Sequence, residues 1–295
     1  MSDITTVGVL GCGLMGSGIA QTAAAAGFTT IVREVSDALI AKGKGAITGS
    51  LNKLVEKGKL DAAARDATLG RLRFTTAVAD LKGCDLVIEA VVEDLALKQA
   101  IWKELDGLCP AHTIFASNTS SLTIIEQAAN TTRADKFVGL HFFNPVPLMQ
   151  LVEVVRTVTT SAETFERAFA FGKKLGKEPI AAKDNSGFVV NLLLVPYLLD
   201  AIRQLEHGVA SVPDMDKAMK LGCGYKMGPF ELLDFVGLDT THKIAEIMFA
   251  EYREQRYAPP PLLKRMVIAG YFGRKSGKGF YDYSQTPPAL TNLGL

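Results

Sequence analysis

Short apolar runs and amphipathic stretches alternate through the first half of the chain. Thr5 to Leu10 has the length and make-up of a strand, and Leu14 to Ala26 that of an alanine-rich helix. Thr29 to Val32 predicts a second strand. A long helix is predicted from about Ser36 to Lys57, with Ser36 as its cap. Leu72 to Thr75 predicts another short strand. DLVIEAVV, residues 85 to 92, reads as one apolar strand bounded by acids, which suggests a sheet covered on both faces. A helix over Leu95 to Leu108 and a strand at TIFAS, residues 113 to 117, follow. Two further strands, Lys136 to Phe142 and Leu151 to Thr157, precede a helix near Ala162 to Leu175. This alternation argues for a doubly wound α/β domain.

The pattern changes after EPIAAK, residues 178 to 183. NSGFVVNLLLVPYLLDAIRQLEHG predicts one long helix from near Ser186, kinked at Pro196. More helical stretches follow, broken by glycines and by the triple proline at 259 to 261. The expectation is a Rossmann-type α/β domain over residues 1-184 and a mainly α-helical domain over 185-295. The polar, proline-containing tail from Ser284 onward is expected to fray.

Composition narrows the classes. A chain of 295 residues is comfortable for two domains. With 32 basic and 31 acidic side chains, the net charge of +1 gives no global pull toward nucleic acid or anionic lipid, so neither is expected as a partner. Cys12, Cys84, Cys109 and Cys223 form no C-x-x-C pair and match no common zinc spacing. No metal is expected, and the cysteines read as reduced thiols of a cytoplasmic protein. The start, MSDITTVGVLG, shows no leader pattern, and no apolar run reaches the ~20 residues of a membrane span.

Candidate chemistry begins at GVLGCGLMGSGIA. Gly11, Gly13 and Gly16 form G-x-G-x-x-G between a predicted strand and a predicted helix, the context that a dinucleotide site requires. Leu14 and Met15 fall in the same turn. The helix start offers free N–H groups and a positive dipole end to a pyrophosphate. Glu34 lies 18 residues past Gly16, near the distance expected for the acid that binds adenosine ribose hydroxyls. A carboxylate there favours NAD, while Arg33 beside it leaves NADP open.

A dinucleotide site implies hydride transfer, and oxidising an alcohol also releases a proton. An imidazole, with an ordinary pKa of ~6.5, can take that proton and return it. His141 stands at the C-terminal end of the predicted strand KFVGLHFF, where open α/β sheets place their ligands. The next strand, MQLVEVVRT, carries Glu153 alone among apolar neighbours. A buried acid there needs a partner, and His141 is the obvious one. A structural histidine with an unrelated, exposed Glu153 fits the same residues. Ser117 to Ser121 cluster at the end of another strand. Ser121 reads as a cap for a helix starting near Leu122, and others of the cluster as donors to a substrate oxygen.

At these residues the chain resembles the 3-hydroxyacyl-CoA dehydrogenase family, including its 3-hydroxybutyryl-CoA dehydrogenases. The motifs are GCGLMGSGIA, DLVIEAVVED, ASNTSSL, GLHFFNPVPLMQLVEVV, KDNSGFVVN, MGPFELLDFVGLD and GRKSGKGFYDY, in family order. The resemblance implies that His141 is the catalytic base and Glu153 its orienting acid. It implies that Ser120 contacts substrate and nicotinamide, and that Asn191 helps to hold the substrate. Glu34 stands where the family usually has Asp. Glu93, Lys98, Asn144 and Lys275 match further cofactor-binding positions. Ser50 and Lys57 match the pair that contacts the CoA portion, although Lys57 also reads as a solvated lysine. Leu192 replaces an arginine found in many relatives. An (S)-3-hydroxyacyl-CoA substrate and a homodimer are implied too. The long apolar helix of the second domain also favours a dimer, since it exceeds what ~110 residues readily bury.

Two rival functions share parts of this pattern. β-Hydroxyacid dehydrogenases and imine reductases have the glycine loop and the helical second domain but use a lysine instead of a His–Glu pair. A silent NAD-binding structural protein would need none of His141, Glu153, Ser120 and Asn191 together.

Overall fold

A computed structural model describes residues 3–294, which fall into two compact units divided between Phe188 and Val189. In the first unit, β1 (Thr6–Leu10), α1 (Leu14–Ala25), β2 (Thr29–Arg33), α2 (Asp37–Glu56), α3 (Ala62–Gly70) and β3 (Leu72–Thr75) form the first half. Then come β4 (Leu86–Glu89), α4 (Leu95–Leu108), β5 (Ile114–Ser117), α5 (Ile124–Ala128), β6 (Phe137–Phe142), β7 (Leu151–Arg156), α6 (Ala162–Lys174) and β8 (Glu178–Lys183).

All eight strands join one sheet in the order β3-β2-β1-β4-β5-β6-β7-β8. The first six run parallel. β7 turns back antiparallel to β6, and β8 lies parallel to β7. Strand order reverses between β1 and β4, which opens a crevice at the carboxyl ends of the central strands. β4 and β5 are buried throughout, as helices on both faces require.

Ser36 caps α2 as expected, its hydroxyl accepting from the Leu39 N–H. The apolar run at 85–92 is a strand only to Glu89, because the Glu89 carboxylate accepts from the Val91 N–H at 2.7 Å and bends the chain. Asp94 then caps α4 through the Leu97 N–H at 2.9 Å. α3 carries no hydrophobic signal in the sequence: Thr68 is its one buried residue, and Asp61 starts it by capping Ala64 at 2.6 Å.

The second unit contains α7 (Val190–Glu206), α8 (Val212–Cys223), α9 (Pro229–Val236), α10 (Leu238–Tyr252), α11 (Pro261–Ile268), β9 (Tyr281–Asp282) and β10 (Ala289–Leu290). Leu199, Ile202, Phe230, Leu233, Leu263 and Phe280 form its buried centre. The long helix begins at Val190, not near Ser186. Gly187 and Phe188 take φ of 83° and 49°, which interrupts a helical path before it. Pro196 lies buried inside α7. The tail does not fray as expected. β10 pairs with β9, the Thr291 N–H donates to the Phe280 carbonyl at 3.0 Å, and Leu293 packs on the core. Among the described residues no helix is long and apolar enough to cross a membrane.

Candidate active site

Antiparallel pairing sets His141 directly opposite Glu153 on β6 and β7. Residues opposite each other project to the same face, so imidazole and carboxylate meet across the ladder. His141 Nδ1 and Glu153 Oε2 are 2.6 Å apart, with the residues 6% and 0% exposed. A carboxylate at that distance holds the proton on Nδ1 and leaves the Nε2 lone pair for other work. Nε2 makes no hydrogen bond to the described residues. The rings of Phe143 and Phe188 lie 4.5 and 5.7 Å from the imidazole, centroid to centroid, and restrict its rotation. Phe188 is buried and holds its left-handed φ beside this ring.

A second set of acids lies at and just past the end of β4, beside the end of β5. Glu89 is fully buried and accepts from Lys98 Nζ at 2.6 Å and from the Ser117 hydroxyl at 2.7 Å. Lys98, 1% exposed, also pairs with Glu93 at 3.1 Å. Glu93 accepts from the hydroxyls of Thr119 and Ser121. Burial pushes the Glu93 carboxyl up, but the Lys98 ammonium and the hydroxyl donors outweigh it and hold the group below its ordinary value. Ser120 stands in the loop that this network braces. The expected capping role of Ser121 is not observed. Its hydroxyl is turned to Glu93, and Asp184 instead caps α5 by accepting from Ile124 and Ile125, both at 2.7 Å. Ser186 adds a bond to the Ser121 carbonyl at 2.6 Å. Residues just past β8 thus lock the serine loop from below.

At the head of β1, Gly11 takes φ of 89°, which other residues rarely adopt. A side chain at Gly16 would strike the Gly11 carbonyl, whereas one at Gly13 would meet open space. No side chain caps α1, and Leu14 is largely exposed beside partly buried Met15. The first-turn N–H groups of α1 therefore face an open approach, which fits a dinucleotide pyrophosphate. Glu34 borders the same loop. Its carboxylate accepts from the N–H groups of Cys12 at 2.7 Å and Val35 at 2.8 Å. Arg33 is turned the other way, with Nε on the Thr76 carbonyl at 3.3 Å.

Asn144 is exposed next to the cis Asn144–Pro145 bond. Ser50 lies on α2 and Lys57 at its C-terminal end, two turns apart on one side of the helix. In the second unit, Asn191 sits in the first turn of α7, and Lys275 pairs with Asp239 at 2.6 Å. Sequence reasoning missed two residues that organise the site. Glu89 gave the same signal as Glu153, an acid inside an apolar strand. Asn118 gave none. Its Oδ1 accepts from the Phe142 N–H at 2.9 Å and extends the ladder between β5 and β6 beyond the last paired residues.

Two family models match the chain: the NAD binding domain of 3-hydroxyacyl-CoA dehydrogenase over residues 6–185, and its C-terminal domain over residues 187–283. A 3-hydroxybutyryl-CoA dehydrogenase of Mycobacterium tuberculosis is 51% identical over 286 residues, covering 96% of this chain and 100% of the relative. The crystal structure of FadB2 from M. tuberculosis superposes with a TM-score of 0.94 at 51% identity, covering 96% of this chain and 100% of that one. That of (S)-3-hydroxybutyryl-CoA dehydrogenase from Ralstonia eutropha gives 0.92 at 45% identity, with coverage of 96% and 100%.

Proposed function

The chain belongs to the 3-hydroxyacyl-CoA dehydrogenase family, and on that footing we propose that it interconverts (S)-3-hydroxybutyryl-CoA and acetoacetyl-CoA with NAD, using His141 and Glu153 as its acid–base pair. The observation behind this is the buried 2.6 Å contact between Nδ1 and the carboxylate, with Nε2 left to act.

Bound NAD supplies the acceptor for the hydride that leaves C3. His141 Nε2 takes the proton of the 3-hydroxyl as that hydride departs, and gives it back in the reverse direction. The imidazole becomes a cation in the process. Glu153 stabilises that cation through the Nδ1 hydrogen bond and keeps the ring from turning. Ser120 and Asn191 donate to the oxygens of the thioester and the 3-position. Gly11, Gly13, Leu14, Met15 and Gly16 receive the pyrophosphate. Glu34, Glu93, Lys98, Asn144 and Lys275 complete the cofactor site, and Ser50 and Lys57 hold the CoA portion.

NAD is preferred over NADP. The Glu34 carboxylate beside the glycine loop repels a 2′-phosphate, and Arg33 is occupied on Thr76. The unit in solution is a homodimer. Acetoacetyl-CoA mixed with NADH or NADPH at equal concentrations, followed by loss of nicotinamide absorbance, tests the assignment. Rapid oxidation of NADH and slower oxidation of NADPH are expected. No turnover of any 3-ketoacyl-CoA by a protein that still binds NADH would refute the substrate class, and faster oxidation of NADPH would refute the cofactor preference.

A further inference from the structure

Residues 143 to 150 connect the strand of His141 to the strand of Glu153. A one-residue slip between those strands would turn one of the two side chains to the opposite face. A connection this long does not impose register as a two-residue hairpin turn does. Its own bonds close only part of it: the Leu148 and Met149 N–H groups donate to the Pro145 carbonyl at 2.9 and 3.0 Å. Val146 is packed against α1, where a side chain at Gly18 would collide with it. Beyond Val146 the support is thinner. Pro147, Leu148 and Gln150 border a cavity of about 480 Å³, and Leu148 is 64% exposed.

A lysine side chain from another element bonds to this connection. Lys177 follows α6, which is closed by Leu175 and then Gly176, the latter with φ of 72°. Its ammonium donates to the Val146 carbonyl at 2.5 Å and to the Met149 carbonyl at 2.7 Å. The residue is 8% exposed and forms no salt bridge among the described residues. Burial lowers its pKa from the usual lysine range. An ammonium buried without a counter-ion is costly, and an apolar side chain would fill the same wall more cheaply. The carbonyls it clamps lie between the two halves of the acid–base pair.

We propose that Lys177 is a positioning residue for His141 and Glu153: by clamping the Val146 and Met149 carbonyls it fixes the connection between their strands and so the alignment of imidazole and carboxylate. This rests on the assignment of that pair as the proton-transfer groups. Lys177→Met keeps the stem and removes the donors, whereas Lys177→Arg keeps donors. Turnover of acetoacetyl-CoA is measured per folded site, alongside the downfield proton signal of a histidine Nδ1–H bonded to a carboxylate. The expectation is a kcat loss of about tenfold or more in Lys177→Met, a KM for NADH within about twofold, a shifted or broadened downfield signal, and substantial recovery in Lys177→Arg.

An active wild type with Lys177→Met at unchanged kcat and an unchanged proton signal overturns the role of Lys177 alone. An inactive wild type, or an active His141→Gln protein, removes the pair beneath it instead. Should Lys177→Met not fold, Lys177→Gln and Lys177→Arg carry the test. Turnover per folded site should then fall in the order Lys, Arg, Gln, and equal values in all three overturn the proposal.

Discussion

Both units bury carboxylates, and they compensate them in different ways. In the first, Glu153 lies on an imidazole and Glu89 and Glu93 share the Lys98 ammonium. In the second, Asp216 accepts from the Phe230 N–H at 2.8 Å, the Glu231 N–H at 3.2 Å and the Tyr281 hydroxyl at 2.7 Å. Asp234 accepts from the N–H groups of Phe280 and Tyr281, both at 2.9 Å, and from the Tyr283 hydroxyl. None of these donors is a cation. Burial accordingly outweighs the hydrogen bonds and raises both aspartates above the ordinary carboxylate range. The difference separates two uses of a buried acid. One beside a cationic or protonatable partner can trade charge with it, as chemistry needs. One surrounded by neutral donors ties backbone segments together.

The largest test of this division is His141→Gln. Removing the proposed base should cost at least ~10²-fold in kcat while the fold and NADH binding stay close to wild type. Near-normal turnover would show that the proton travels by another group. Glu153→Gln should follow, with a smaller loss, on the order of 10²-fold or somewhat less, because the proposed base remains but its cationic form is no longer stabilised. A loss confined to the melting temperature would move Glu153 into the structural class with Asp216.

The sequence made the first class more legible than the second. Strand periodicity placed His141 and Glu153 on sequential strands, and an acid among apolar residues called for a partner. That logic reached Glu153 because a histidine stood nearby. It passed over Glu89, whose partners Lys98 and Ser117 come from α4 and β5. Asp184 was equally silent. It caps α5 from about 60 residues away, and no local pattern announces a cap of that range. Secondary structure was legible where apolar runs were long. It failed at α3, which buries almost nothing, and at the tail, whose order depends on pairing with β9.

Asp216→Ala probes the structural class. It strands two N–H groups and a phenol, so a loss of about 2–4 kcal/mol in stability is expected, read from urea unfolding. Turnover per folded site should not change. A fall in kcat at wild-type stability would place Asp216 with the reactive acids.

The finest test uses pH, because the two kinds of acid should respond with opposite sign. Asp216 and Asp234 have folded values above the ordinary one. Their contribution to stability is present at pH below that ordinary value and is lost as pH rises through the raised values. Glu93 has a folded value below the ordinary one. Its contribution is present above the ordinary range and is lost as pH falls through the lowered value. Acidification from neutral pH to about 4 should therefore protect the amides of Phe230 and Glu231, which Asp216 accepts, before it loosens anything at Glu93. Exchange at Ser121 and Leu122, whose N–H groups donate to the Thr119 hydroxyl that Glu93 holds, should quicken only at lower pH. Amide hydrogen exchange, corrected for its intrinsic pH dependence, reads both segments in one sample. If the two move together, compensation by cations and compensation by neutral donors are energetically the same here, and the division between reactive and structural acids fails.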